Sequence, residues 1–144
     1  MTDSTIRPVR DEVSAPYWDA ARRHELTAAR CGRCQRFVSV PEEICVNCGS
    51  TDPNFTFEPV SGHGVVRSWA VVHQSFLPSV EVPFMLVDVE LADQADLRVV
   101  ARLVDGPDAA VAFGSAVTVS FDDRPGGESI PVFVLDEIVK GGPV

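Results

Sequence analysis

Cys31-Gly32-Arg33-Cys34, then ten residues, then Cys45-Val46-Asn47-Cys48-Gly49: this stretch holds all four cysteines of the 144-residue chain, in two CxxC pairs. A CxxC pair bends so that both sulfurs face one ion, and two pairs supply the thiolates of a tetrahedral site. The segment between them is too short for a hydrophobic core of its own, so metal binding must supply its folding free energy. The spacing predicts a zinc ribbon with Cys31, Cys34, Cys45 and Cys48 as ligands of a structural zinc. Four thiolates close the shell and leave no open position for catalysis. Iron also accepts four thiolates and is not excluded by the sequence. Two disulfides would need an oxidising compartment, and no signal-peptide pattern opens the chain. A redox CxxC sits alone at the start of a helix, which two matched pairs do not resemble. Arg30, Arg33 and Arg36 flank the cluster and can offset its negative charge, as can backbone N–H groups.

Upstream, Met1–Val13 reads as an arm and residues 14–24 as a short helix. Ser14 stands at the N-cap position and Pro16 in the first turn. A helix of about two turns is unstable alone, so something must cover Tyr17 and Trp18. Either they pack on this chain's own body or they anchor a partner, for which Tyr and Trp are favoured.

Downstream, a strand is expected from alternation at 55–58, and from Gly62 the pattern becomes a series of strands at 64–73, 84–91, 97–104, 116–121 and 131–139. Residues 75–83, with Pro78 and Pro83, form a loop, and residues 107–113 are expected to make a short helical turn ended by Gly114. Gly126-Gly127 marks a hairpin turn. The chain is thus mainly β: a short N-terminal helix, a zinc ribbon, then a five-stranded Greek-key barrel of the OB type. A sandwich is the alternative architecture. The expected units are residues 1–25 (arm and docking helix), 26–58 (ribbon) and 59–144 (barrel).

Net charge is −9. It is unevenly spread: residues 22–50 carry five Arg against three acids, whereas residues 51–144 carry five basic residues against fourteen acids. That acidic body would repel a phosphate backbone, which argues against nucleic acid, although ribbons and OB folds can both bind single strands. No run is long enough to span a bilayer, and a cytoplasmic protein is expected.

The sequence offers no catalytic set. Every cysteine belongs to the metal cluster, and no nucleophile-elbow motif surrounds a serine. No Gly-rich phosphate loop is followed by Lys. His63 lies between two glycines, and His73 ends a strand. Asp88 and Glu90 share one strand face, as expected for the polar outside of a barrel.

In order, the chain shows Tyr17-Trp18-Asp19, the two CxxC pairs, Ser61-Gly62-His63-Gly64-Val65-Val66, a Val-Asp-Val-Glu-Leu strand, and Ile130-Pro131-Val132-Phe133. This resembles the acyl-CoA-associated proteins that join an N-terminal rubredoxin-like zinc ribbon to an OB fold. Two positions depart from that pattern: Gln35 stands where glycine is common, and His63 where a basic residue is usual. The resemblance implies a non-catalytic partner of a thiolase-superfamily enzyme, an acyl-CoA retro-aldolase or ketothiolase, as in steroid side-chain or lipid degradation. Other members partner enoyl-CoA hydratases. It implies that ribbon and helix dock the enzyme, through Tyr17 and Trp18, while the barrel shields or guides acyl-CoA. A stand-alone acyl-CoA-binding module is the alternative. Coenzyme A phosphates need positive charge, which makes His63, Arg67, Arg98 and Arg102 the residues to consider. The competing expectation is that these arginines pair with Asp88 and Glu90 across strands.

Overall fold

The computed structural model describes residues 8–136. Met1–Arg7 of the expected arm and Glu137–Val139 of the last expected strand lie outside the described residues. The first element is α1 (Ala15–Arg22). Ser14 holds the N-cap position, but its hydroxyl makes no capping bond. It accepts the Asp11 N–H at 3.1 Å instead, while Asp11 Oδ1 accepts the Ser14 N–H at 2.7 Å. The start of the helix is thus fixed by a reciprocal Asp–Ser turn placed before it.

Three short strands follow: β1 (Thr27–Arg30), β2 (Phe37–Val38) and β3 (Thr56–Pro59). They form an antiparallel sheet in the order β2-β1-β3. Then come β4 (His63–Val72), β5 (Phe84–Leu91), β6 (Arg98–Arg102), β7 (Ala116–Asp123) and β8 (Ser129–Leu135). Their order is β6-β5-β4-β7-β8, antiparallel at each ladder. A single parallel bridge, Leu103 to Phe133, joins the two ends of this sheet. The result is a nearly closed five-stranded barrel, and this strand order with one parallel closure is that of an OB fold.

The alternation in β5 is complete. Met85, Val87, Val89 and Leu91 are buried, and the residues between them are not. A period of two places one face on the core and the other toward solvent. Val66, Leu97, Leu103, Val117 and Phe133 join that core. β4 carries a bulge at Arg67, because Val66 pairs with Val89 and Ser68 with Asp88. The extra residue bends the strand so that its first residues also pair with β7. Leu26, Ala28 and Phe37 from the ribbon side pack into the same core cluster. The Gln94 side chain clasps the Phe37 backbone, Oε1 accepting its N–H at 2.8 Å and Nε2 donating to its carbonyl at 2.9 Å.

The expected helical turn at 107–113 is not formed. The segment is irregular, with turns only at 107–108 and 113–114. Gly114, at φ 89°, could end a helical turn but does not make one form. The Ala112 N–H bonds to the Ser115 hydroxyl rather than to a helical carbonyl. The hairpin at Gly126-Gly127 is present, with φ of 93° and 88° and the Arg124 N–H bonded to the Glu128 carbonyl.

Candidate functional site

The two CxxC loops are copies of one backbone device. In the first, the Cys31 carbonyl accepts the Gln35 N–H at 3.0 Å, and the Cys31 N–H donates to the Arg36 carbonyl at 2.9 Å. In the second, the Cys45 carbonyl accepts the Gly49 N–H at 2.8 Å, and the Cys45 N–H donates to the Ser50 carbonyl at 3.0 Å. The fourth residue after each leading cysteine is left-handed: Gln35 at φ 66° and Gly49 at φ 75°. Glycine takes that conformation freely, and a side chain there carries strain. Gln35 offsets part of it by donating Nε2–H to the Gly32 carbonyl at 3.1 Å.

These loops bring the four Sγ atoms within 4.8 Å of one another. Cys31 and Cys48 sulfurs lie 3.9 Å apart, and those of Cys34 and Cys45 3.8 Å. Thiolates about 2.3 Å from a tetrahedral ion are separated by about 3.8 Å, so the donor set fits zinc, or iron, as it stands. Cys31 and Cys45 are buried and Cys48 is exposed. Burial raises the Cys31 thiol, but N–H groups of Cys34 and Arg33 and the neighbouring sulfurs outweigh it, and the thiol is lowered to about 7. The Ser50 N–H lowers Cys48, yet burial and the other three sulfurs push it up to about 11. Crowded sulfurs cannot all ionise together unless a cation joins them. Arg33 helps through its backbone, whose N–H donates to Cys31 Sγ at 3.3 Å. Its guanidinium is engaged by Asp52 at 2.7 Å. Arg30 holds Glu58 and lies 4.2 Å over the Phe37 ring.

On the helix, Tyr17 and Trp18 meet edge to face at 4.9 Å. Tyr17 packs on the main core, and burial pushes its hydroxyl up to about 12. Trp18 stays half-buried. It borders an apolar groove toward the ribbon, lined by Val13, Val40, Pro41 and Phe57. It also borders a cavity toward β6 and β8.

The four residues considered for coenzyme A do not form one cluster, although Arg67 and Arg98 both lie beside Glu90. His63 lies in β4, exposed, with Nδ1 3.2 Å from the Thr118 hydroxyl. Its flanking glycines serve packing: a Cβ on Gly62 would sit 2.3 Å from Val119 Cγ1, and one on Gly64 2.5 Å from the Glu90 carbonyl. Arg67 pairs with Glu90 at 3.0 Å and lies over Phe113. Arg98 pairs with Asp88 at 2.7 Å. The cross-strand pairing thus claims two of the three arginines. Arg102 lies instead over the Phe84 ring, 4.4 Å from its centroid, in the cavity that Tyr17 and Trp18 also line. Arg124, from the β7–β8 hairpin, lines that cavity too and was not singled out in the sequence, since only the fold brings it there.

A short aromatic helix, a four-cysteine ribbon and then an OB barrel, in that order along the chain, define a class of small two-part proteins. Two family models divide this chain between them: "ChsH2, rubredoxin-like zinc ribbon domain" matches residues 18–54, and "ChsH2, C-terminal OB-fold domain" matches residues 57–122. The chain belongs to the ChsH2 family. It is 30% identical over 127 residues to a "Probable enoyl-CoA hydratase alpha subunit" of Thermomonospora curvata, covering 88% of this chain and 39% of that protein. It is 31% identical over 124 residues to the "3-oxo-4,17-pregnadiene-20-carboxyl-CoA hydratase alpha subunit" of Mycobacterium tuberculosis, covering 85% and 38%. The chain therefore spans about two fifths of these curated relatives. Among solved structures it matches "Ltp2-ChsH2(DUF35) aldolase" with a TM-score of 0.76 and 28% identity, over 90% of this chain and 98% of that one. It also shares its fold with a DUF35-family protein of unknown function from Sulfolobus solfataricus, at a TM-score of 0.55, 10% identity, and coverage of 87% and 86%. No helix among the described residues is long and apolar enough to cross a membrane.

Proposed function

We propose that this chain is a non-catalytic accessory subunit of a thiolase-superfamily enzyme, an acyl-CoA retro-aldolase or ketothiolase, and helps it handle acyl-CoA in steroid side-chain or lipid degradation. The observation that carries this reading is the likeness to the chain of the aldolase structure, which is covered over 98% of its length. Zinc held by Cys31, Cys34, Cys45 and Cys48 would supply folding free energy and no catalysis, because the protein ligands fill its shell. Ribbon and helix then form the docking side. The groove bordered by Trp18, Val40, Pro41 and Phe57 offers the apolar surface, and Tyr17 holds Trp18 in place from beneath. The barrel lies toward the acyl-CoA.

The test is co-expression with a thiolase-superfamily enzyme encoded beside this gene. Carbon–carbon cleavage or formation on an acyl-CoA should require both chains. An enzyme equally soluble and active without this chain sinks the proposal. The two hydratase-named relatives favour a second reading, in which the partner is an enoyl-CoA hydratase. Loss of the conjugated enoyl-CoA absorbance, without fragmentation of the acyl chain, distinguishes it. Tight acyl-CoA binding by the isolated chain in calorimetry would instead mark a stand-alone module.

A further inference from the structure

We infer that the groove between α1, β6 and the β7–β8 hairpin binds a phosphorylated nucleoside, its ring against Trp18 and its phosphate at Arg102 with Arg124 beside it. Three observations converge. First, Arg102 stands apart among the barrel's arginines. Arg67, Arg98 and Arg124 each hold a carboxylate within 3.0 Å, whereas Arg102 has none among the described residues and is half-buried over Phe84. A guanidinium kept from solvent without an acid partner is a ready fork for phosphate oxygens.

Second, cavities of about 240 and 430 Å³ share Arg102, Asp122, Arg124 and Ile130, and so adjoin as one groove. Together they fall in the range of small-molecule sites, about 300–1,000 Å³. The groove runs from Trp18 to the loop between β4 and β5, which contributes Ser79 and Val80. The loops after the first and fourth strands of an OB barrel, with the face of its second and third strands, are where this fold takes oligonucleotides and oligosaccharides, so the groove lies where the fold already binds nucleotide units. Third, half-buried Trp18 borders the end of the groove away from that loop, where an aromatic ring can stack a base without reading its identity.

The acids in the groove set the size of the ligand. Asp122 Oδ2 lies 2.9 Å from Arg124 Nε, and Glu81 also lines the groove. With a chain charge of −9, this leaves room for one phosphate cluster at Arg102 and disfavours a continuous phosphate backbone. The nucleotide is either free or the adenosine 3′,5′-bisphosphate end of coenzyme A. The second source rests on the function proposed above.

The experiment uses the full chain with Trp69→Phe, so that Trp18 is the only tryptophan left of two. Adenosine 3′,5′-bisphosphate should quench Trp18 emission saturably. Arg102→Ala and Arg102→Gln should weaken binding at least tenfold, with circular dichroism and thermal midpoint confirming that each variant folds. Arg98→Ala, outside the groove, should change affinity less than twofold. Coenzyme A binding at least as tightly, with pantetheine inert, identifies the coenzyme as the source. Binding of the bisphosphate but not of coenzyme A identifies a free nucleotide. The inference falls if quenching never saturates at millimolar nucleotide, if both Arg102 variants bind as the parent does, or if a ten-nucleotide single strand binds more tightly than the bisphosphate. Complex formation with the partner enzyme is read separately by co-purification, so a failed titration beside an intact complex removes this groove and leaves the accessory role standing.

Discussion

Single backbone positions decide whether the two halves of the site form. Gly49 at φ 75° has nothing within 4 Å of where a Cβ would lie, so Gly49→Ala carries only conformational strain. It should cost about 1 kcal/mol and keep the metal, measured by urea unfolding and metal analysis. Gln35 shows the equivalent position of the first knuckle bearing a side chain at φ 66° while the four sulfurs still converge. Gly64 is the opposite case. A Cβ there would meet the Glu90 carbonyl at 2.5 Å and Val89 Cγ1 at 2.6 Å, within a paired ladder that cannot give way. Gly64→Ala should destabilise the barrel by about 3 kcal/mol, seen as a lowered thermal midpoint. Charge at this scale carries a pH dependence. The Asp96 N–H bonded to the Glu90 carboxylate, with Arg67 and Arg98 nearby, holds Glu90 below the ordinary carboxylate value. A Ser129 hydroxyl and His24 do the same for Asp123. A carboxyl with a depressed folded pKa stabilises the fold above its unfolded value, about 4, and that contribution is lost as pH falls through the folded one. The urea midpoint should therefore drop below pH about 4, and Glu90→Gln should flatten part of that fall.

At the scale of elements, the helix and the ribbon separate two kinds of aromatic. Tyr17 is packed on the core, and Tyr17→Ala should cost about 3 kcal/mol. Trp18 keeps an open side, so Trp18→Ala should cost about 1 kcal/mol while weakening partner co-purification. Cys45→Ser should lose the metal and the ribbon's sheet. The barrel should still melt cooperatively, but several degrees lower, because Leu26, Ala28 and Phe37 belong to its core cluster. Calorimetry with metal analysis reads both. Much of this was legible in the residues. β-rich runs between turn residues marked all five barrel strands, and CxxC spacing marked the metal site. The segment 107–113 was misread as helical because its Pro and Ala content says nothing of the hydrogen bond from Ala112 to Ser115. For Arg67 and Arg98 the residues favoured pairing with neighbouring acids over a ligand, and the cross-strand geometry shows that pairing. The meeting of Trp18 with Arg102 and Arg124 joins residues more than eighty positions apart, and no local pattern encodes it.

Across the whole molecule, charge and closure matter most. The acidic body predicts that a fifteen-nucleotide single strand gives no salt-dependent shift in fluorescence anisotropy at micromolar protein. The barrel's staves are joined unequally. Three seams are long ladders and the β4–β7 seam pairs three positions, while the fifth is the single Leu103–Phe133 bridge, backed by the Val104 N–H donating to the Phe133 carbonyl at 2.8 Å. A cylinder fails at its thinnest weld. The amide of Val104 should accordingly trade its proton for deuterium well before that of Val66, which lies deep in the wall. Such a hinge-line would let the shell part along one edge and shut again with its other joints unbroken.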